Sequence, residues 1–299
     1  MRRRFVTLDV FTTRRFAGNP LAVVLEPQGL DTAAMQAIAR EFNHPETVFV
    51  LPPDDPAHRA RLRIFTPAAE LPFAGHLTVG TAVLLDRLDG GQGERELVVE
   101  EGIGPVRCRT AMADGDTGRA SFALPRLPEE CRPGPDVAAA AAALSLDPAD
   151  IDLPGFAPAR WSAGMAQNFI PVRSRAAIER ARPLAERFAA AFMIDGRDVA
   201  YLYCAEVAET GNQFHARMFA PTLGIREDPA TGSAAAAFAG LLAASGRYAD
   251  GEHMVRIEQG YEMGRPSVIE LALTLRGGKL AAATVGGGAV VVTEGAIEA

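Results

Sequence analysis

The stretch GIREDPATGSAAAAFAGLL, residues 224–242, decides how the rest of the chain is read. Two acids and a proline precede Thr231-Gly232-Ser233, and an alanine run follows at once. Alanine and leucine favour helix, so a helix is expected over 233–246 with Ser233 as its N-cap. Gly232 and Ser233 then stand where the first backbone N–H groups of a helix point outward without partners. Small residues and free N–H groups at such an end can hold an anion, a phosphate or a carboxylate. Every helix has an N-terminus, so the plain alternative is a Ser-capped core helix entered through a turn.

A second copy of the pattern changes the weight of the first. RIFTPAAELPFAGHLTVGTAVLL, from Arg63 to Leu85, matches RMFAPTLGIREDPATGSAAAAFAGLL, from Arg217 to Leu242. Each has Arg, Phe and Pro at alternate positions, then acids, then Gly with a polar residue, then a helix of small residues ending in Leu-Leu. The two arginines are 154 positions apart, about half the chain. A weaker echo sets AGNPLAVVL near Asn19 against MAQNFIPVR near Asn168. An internal repeat of this length implies two lobes on one plan. The helix starts Gly75-His76 and Gly232-Ser233 are then expected in related positions, facing a cleft between lobes where ligand sites are common.

The bulk properties limit the function. The chain has 299 residues, 48% hydrophobic and 22% charged, which is enough for two ordinary domains. A net charge of -7 and a pI near 5.4 argue against a nucleic-acid binder, which would carry a basic face. Cys108, Cys131 and Cys204 lie far apart with no CxxC, against a disulfide framework or a zinc site. No window reaches about eighteen apolar residues, so no membrane span is expected. The opening MRRRFVTLDVFTT lacks an unbroken apolar stretch and a cleavage site, and a cytoplasmic setting fits best.

Alternating apolar segments recur on both sides of a Pro- and Ala-rich stretch at 126–160. The expected organisation is an N-terminal lobe 1–125, a crossover 126–160 and a C-terminal lobe 161–299, with the last strands pairing back to the first lobe. Helical periodicity marks 31–42, 76–88, 136–144, 183–193 and 233–246. The GxG in EEGIGPVR lies between two strands and is expected to be a hairpin turn, and Gly286–Gly288 is taken the same way. Loops 52–60 and 207–214 are expected to set specificity.

Four motifs in order, REFNHPETVFV, FTPxxELPFAGHxxxGTA, EDPATGSAA and IEQGYEMGRPS, resemble the PhzF-like family of phenazine-biosynthesis isomerases across essentially the whole chain. The resemblance implies the α+β fold of diaminopimelate epimerase: two pseudo-symmetric lobes, each a β-barrel-like sheet wrapped around a central helix. It also implies a homodimer. By the same resemblance Glu46 corresponds to the general acid/base, and His76 and Asp228 to further catalytic groups. Asn19, Gly75, Gly232 and Ser233 correspond to substrate-binding positions. The segment Asn43-His44-Pro45-Glu46-Thr47 lacks the serine that phenazine enzymes tend to have before the glutamate, which leaves the substrate open. Thiol epimerases of this fold carry a cysteine at the start of each paired helix, and FAGH and DPATGS have none.

Without a metal motif, a phosphate loop or a flavin fingerprint, no metal and no cofactor are expected, and side chains must supply the chemistry. A carboxylate in a partly apolar pocket can move a proton between two carbons of a small anionic substrate. Glu46, beside Val48 and Phe49, suits that task, although a lone glutamate starting a strand is ordinarily a solvated surface group. His76 is either a proton partner or a helix cap; Asp228 either binds substrate or favours the helix dipole. The expected function is a cofactor-independent isomerase. The alternatives are a non-catalytic small-acid-binding or regulatory protein on the same fold, or an epimerase of another amino acid.

Overall fold

The computed structural model describes residues 1–221 and 225–299, and of residue 114 the backbone alone. Thr222, Leu223 and Gly224, in the second copy of the repeat, lie outside the described residues. The chain divides into two compact units, one of Met1–Ala123 with Gly286–Ala299 and one of Leu124–Val285.

The first unit runs β1 (Arg2–Val10), β2 (Asn19–Leu25), α1 (Thr32–Phe42), β3 (Glu46–Leu51), β4 (Ala60–Phe65), β5 (Glu70–Leu71), α2 (Gly75–Leu88), β6 (Gly93–Glu101), β7 (Gly104–Asp114) and β8 (Thr117–Ala123). The second runs β9 (Glu129–Glu130), α3 (Val137–Leu144), β10 (Ala159–Ser162), β11 (Ala166–Pro171), α4 (Arg175–Arg180), α5 (Ala185–Phe192), β12 (Met193–Ile194), β13 (Arg197–Asp198), β14 (Ala200–Cys204), β15 (Phe214–Ala220), β16 (Ile225–Asp228), α6 (Gly232–Ala244), β17 (Gly251–Gln259) and β18 (Ser267–Arg276). The last strand, β19 (Lys279–Glu298), supplies its first residues to the second unit and the remainder to the first.

In the first unit β1 pairs with β19 and β2, β2 runs parallel to β3, β3 antiparallel to β4, and β4 parallel to β6. The β6–β7 and β7–β8 hairpins follow, and β8 returns to β19, where the Val291 N–H donates to Asp116 O. Eight strands thereby close into a barrel, which removes exposed sheet edges. The second unit repeats the order of pairings: β10–β11 antiparallel, β11–β14 parallel, β14–β15 antiparallel, β15–β17 parallel, β17–β18 antiparallel. Two α+β lobes of one plan result, each a barrel-like sheet around one helix.

That helix must be apolar on every side, because the sheet surrounds it. In α2 every residue from Gly75 to Asp86 is buried, and in α6 the same holds from Ala234 to Ala243. Small residues let the sheet close in. A Cβ on Gly80 would fall 2.6 Å from Val10, and one on Gly240 2.4 Å from the Trp161 ring. Around α6 the space is filled by Phe238, stacked on Phe169 at 5.4 Å and edge-on to Tyr203 and Phe214 at 4.8 and 5.1 Å.

Three local expectations need correction. Gly286–Gly288 is not a hairpin turn; β19 runs straight through it. The glycines serve close approach instead, since a Cβ on Gly286 would lie 2.7 Å from Ala120 O and one on Gly288 2.9 Å from Thr12 O. Residues 175–180 form a helix, α4, that periodicity missed because six residues span too few turns to show a face. Asn19 and Asn168 are also not equivalent. Phe49 pairs with Arg63 and Val24, and Leu202 with Arg217 and Ile170, so Asn168 sits two residues before its reference position and Asn19 five. Asn168 is a structural group: its amide donates to Phe192 O and Val199 O, and its oxygen accepts from Arg160.

The close approach at Gly286 gives a direct test of the closed sheet. Gly286→Val should destabilise the protein by about 2 kcal/mol, the usual cost of overpacking a well-filled site. Urea denaturation would show the lower midpoint, and an unchanged midpoint would mean that β8 and β19 do not pack as described.

Candidate active site

The start of each central helix is built the same way, beginning from the arginine of the repeat. Arg63 holds Glu70 through two bonds of 2.7 Å, and Arg217 holds Glu227 at 2.7 and 2.8 Å. Both guanidinium groups lie over the Phe two residues on, at 5.2 Å for Phe65 and 4.7 Å for Phe219. The forked ion pair fixes the short strand before each helix, β5 or β16. A proline follows, then the glycine that opens the helix. Gly102 packs against Pro72 and Gly260 against Pro229, where added Cβ atoms would come within 2.8 and 2.6 Å of proline backbone.

The loop ahead of β4 and its counterpart ahead of β15 are clasped by one carboxylate each. Glu100 accepts the N–H groups of Asp54 and Asp55 at 2.7 and 2.8 Å and is bonded by His58 Nδ1 at 2.8 Å. Glu258 accepts those of Ala208 and Glu209 at 2.8 and 2.7 Å, and Asn212 Nδ2 at 2.8 Å. Each of these donors in the second unit lies 154 positions after its counterpart, the spacing of the two arginines. The loops expected to set specificity are therefore pinned at their bases. Sequence reasoning missed the clasps, although Glu100-Glu101-Gly102 and Glu258-Gln259-Gly260 carry the signal.

In the first unit Glu46 opens β3, beside Leu21 of β2. His76 is the second residue of α2, whose cap residue Ala74 contributes no side-chain bond. His76 Nε2 stands 3.2 Å from Glu46 Oε2, with the side chains 7% and 14% exposed. The two atoms are in contact without the alignment of a hydrogen bond. Burial pushes the His76 imidazole down to about 3, so the ring is neutral. Asn19, fully buried, starts β2 opposite Val10, and Gly75 is the first residue of α2. A half-buried carboxylate touching a neutral imidazole can exchange a proton with a bound molecule without a solvent intermediary.

In the second unit Asp228 ends β16. Its Oδ2 accepts the Thr231 hydroxyl at 2.6 Å. Gln259 completes the arrangement: its amide nitrogen donates to Asp228 O at 2.7 Å and Thr231 Oγ1 at 2.9 Å, and its oxygen accepts the Thr231 N–H at 3.1 Å. The helix therefore starts at Gly232 with Thr231 as cap residue, not Ser233. Ser233 occupies the second helical position and is half-buried; Gly232 is buried. The Ala235 N–H bonds to Thr231 O, so the N–H groups of Gly232, Ser233 and Ala234 precede the intrahelical ladder.

Next to Gln259, His215 bridges Glu258 and Glu262 at 2.9 Å on either side, with His215 and Glu258 buried and Glu262 half-buried. Burial alone would lower the imidazole, but the bonds to the two carboxylates override it and raise His215 to about 9. The thiols stand apart from this chemistry. Burial pushes Cys108 and Cys204 up to about 12, and Cys131 is raised as well. Among the described residues no group of three or more His, Cys, Asp or Glu could hold a metal ion.

The His215 bridge predicts a pH slope. An imidazole raised from 6.5 to about 9 by folding contributes stability that is complete below pH 6.5 and is lost as pH rises through about 9. His215→Gln should lose about 3 kcal/mol at neutral pH, because two carboxylates are left without their cation. Denaturation curves across that range should decline more steeply with pH in the parent than in the variant, where His215 no longer contributes; parallel curves would contradict a charged His215.

Comparison with known proteins matches this architecture. The profile of the phenazine biosynthesis-like protein family fits residues 8–295. An uncharacterised isomerase of Mesorhizobium japonicum is 51% identical over 98% of both chains. The trans-2,3-dihydro-3-hydroxyanthranilate isomerase of Pseudomonas aeruginosa is 33% identical, again over 98% of both. The crystal structure of a PhzF-family phenazine biosynthesis protein from Bacillus anthracis superposes with a TM-score of 0.88 at 25% identity, covering all of both chains. With a family match of this extent over two barrel-like units of repeated design, the chain belongs to the phenazine biosynthesis-like protein family, and its relatives mark it as an isomerase.

Proposed function

We propose that this isomerase works without a cofactor, moving a proton between two carbons of a small carboxylic acid, with Glu46 as the general acid/base. The observation that carries the reading is the contact of 3.2 Å between Glu46 and a buried, neutral His76. Glu46 takes the proton from one carbon and returns it at another, so no net charge is left on the enzyme after a turnover. The neutral imidazole suits a hydrogen-bonding partner that positions the carboxylate or the substrate. Thiol chemistry is disfavoured, since thiols raised to about 12 carry little thiolate near neutrality.

In the second unit, by the same reading, Asp228 is suited to hold a polar group and the helix-start N–H groups of Gly232 and Ser233 to hold a carboxylate. Asn19 and Gly75 take substrate-binding roles next to His76. The substrate class is a cyclic unsaturated amino or hydroxy acid, supported by the Pseudomonas relative that acts on trans-2,3-dihydro-3-hydroxyanthranilate. A cytoplasmic homodimer is part of this proposal, and sedimentation would test the assembly. Among the described residues no helix is long and apolar enough to cross a membrane.

The test is proton exchange in heavy water, followed by NMR, with trans-2,3-dihydro-3-hydroxyanthranilate and related unsaturated acids. Parent enzyme should isomerise one of them with deuterium uptake, and Glu46→Gln should lose about 10³-fold in rate, in the range of general acid/base catalysis. Full turnover in Glu46→Gln would remove Glu46 as the base. Carboxylate binding by calorimetry in both proteins, without exchange in either, would favour the binding-protein alternative.

A further inference from the structure

Glu101 is a buried carboxyl that neither the repeat nor the proposed proton transfer accounts for. It ends β6, is 7% exposed, and one oxygen, Oε2, has no hydrogen-bond partner among the described residues. The other, Oε1, lies 2.7 Å from the Thr78 hydroxyl. In the second unit the corresponding residue of the Glu-x-Gly sequence is Gln259, a neutral amide that ties Thr231 and Asp228 together at the start of α6. Glu101 thus stands behind the first turn of α2 in the place of an amide.

The hydrogen count bears on its state. Thr78 Oγ1 is 2.7 Å from Glu101 Oε1 and 3.1 Å from Ala74 O, yet a hydroxyl has one hydrogen. Both contacts are bonds when Glu101 is a carboxylic acid: its O–H donates to Thr78, and Thr78 donates to Ala74 O. An ionised Glu101 would claim the Thr78 hydrogen and leave Ala74 O with only the Thr78 N–H, at 3.2 Å. Ala74 is the cap residue of α2, directly before Gly75 and His76.

We propose that Glu101 is a positioning residue of the isomerase site that acts by holding a proton: as an acid it lets Thr78 secure the Ala74 turn that presents Gly75 and His76, and its ionisation releases that turn. The inference rests on the reading that Glu46 and His76 form the reactive pair. The surrounding groups favour the acid. On α2, two residues before Thr78, His76 is neutral, and from β7 the titratable neighbour is Cys108, whose thiol burial and the Glu101 charge push up to about 12. On β3 Glu46 faces His76, and on β6 Glu100 is an anion clasped by Asp54, Asp55 and His58. Among the described residues no cation is paired with Glu101. Burial raises its carboxyl to about 8, against a smaller opposing effect of the Thr78 bond.

NMR titration of the His76 ring and of carboxyl-labelled Glu101, from about pH 6 to about pH 10, tests the coupling. His76 titrates near 3 and is silent in this range, so a shift of its resonances with a midpoint near 8 reports its neighbour. That shift should vanish in Glu101→Gln, which places in the first unit the amide that the second already carries. In Thr78→Val the Glu101 carboxyl should titrate higher than in the parent, having lost the lowering effect of the Thr78 bond, while His76 no longer responds. A Glu101 carboxyl already ionised at about pH 6, as one in the ordinary range near 4.5 would be, or a His76 shift that survives Glu101→Gln, overturns the proposal. These readouts need no turnover, so they stay separate from the outcome for Glu46→Gln.

Discussion

A helix enclosed by a closed sheet is the constraint from which the other features follow. Enclosure demands an apolar surface all round, and it demands small residues wherever strands cross close to the helix. It also limits where polar chemistry can go. Along the buried flank of α2 or α6 an uncompensated charge would be costly, and the groups proposed to react stand at the helix N-terminus, where backbone N–H groups are available. Glu46, His76 and Gly75 meet at that end in the first unit, and Asp228, Thr231 and Gly232 in the second.

Holding such an end in place is a problem that both units solve with one set of parts. A forked arginine–glutamate pair fixes the entering strand, a carboxylate clasps the preceding loop, and a glycine admits the proline of the turn. Neither helix has a conventional side-chain cap. Thr231 has the right chemistry for one, but its hydroxyl is committed to Asp228. The two units part company in what sits behind the turn: an amide at Gln259, and a carboxyl at Glu101 that must keep its proton to play the same part. They also differ at the helix start, where His76 stands in one and Ser233 in the other, so a shared frame carries unlike chemistry.

Much of this was legible in the chain. The 154-residue spacing of Arg63 and Arg217 marked two lobes, and the alanine- and glycine-rich runs marked the two central helices, because repetition and apolar periodicity are local properties of a sequence. The motifs around Glu46, His76 and Asp228 pointed to the family. Where inference failed, the deciding contact was distant in sequence. Three glycines at 286–288 look like a turn until β8 and the residues near Thr12 are laid against them. Ser233 looks like a cap until Thr231 is found between Asp228 and Gln259. Asn168 looks like a partner of Asn19 until strand register separates them.

The sequence by itself determined the class of fold, the doubling of the lobes and the residue types available for acid/base chemistry, since composition, periodicity and repetition are enough for these. Only the tertiary structure decided the states in which those residues work. His76 is neutral because the surrounding barrel removes it from water, His215 is charged because two distant carboxylates meet on it, and Glu101 holds a proton because burial takes its charged form out of water beside the Thr78 hydroxyl. Protonation depends on the dielectric and on neighbours in space, and neither is written in the order of the chain.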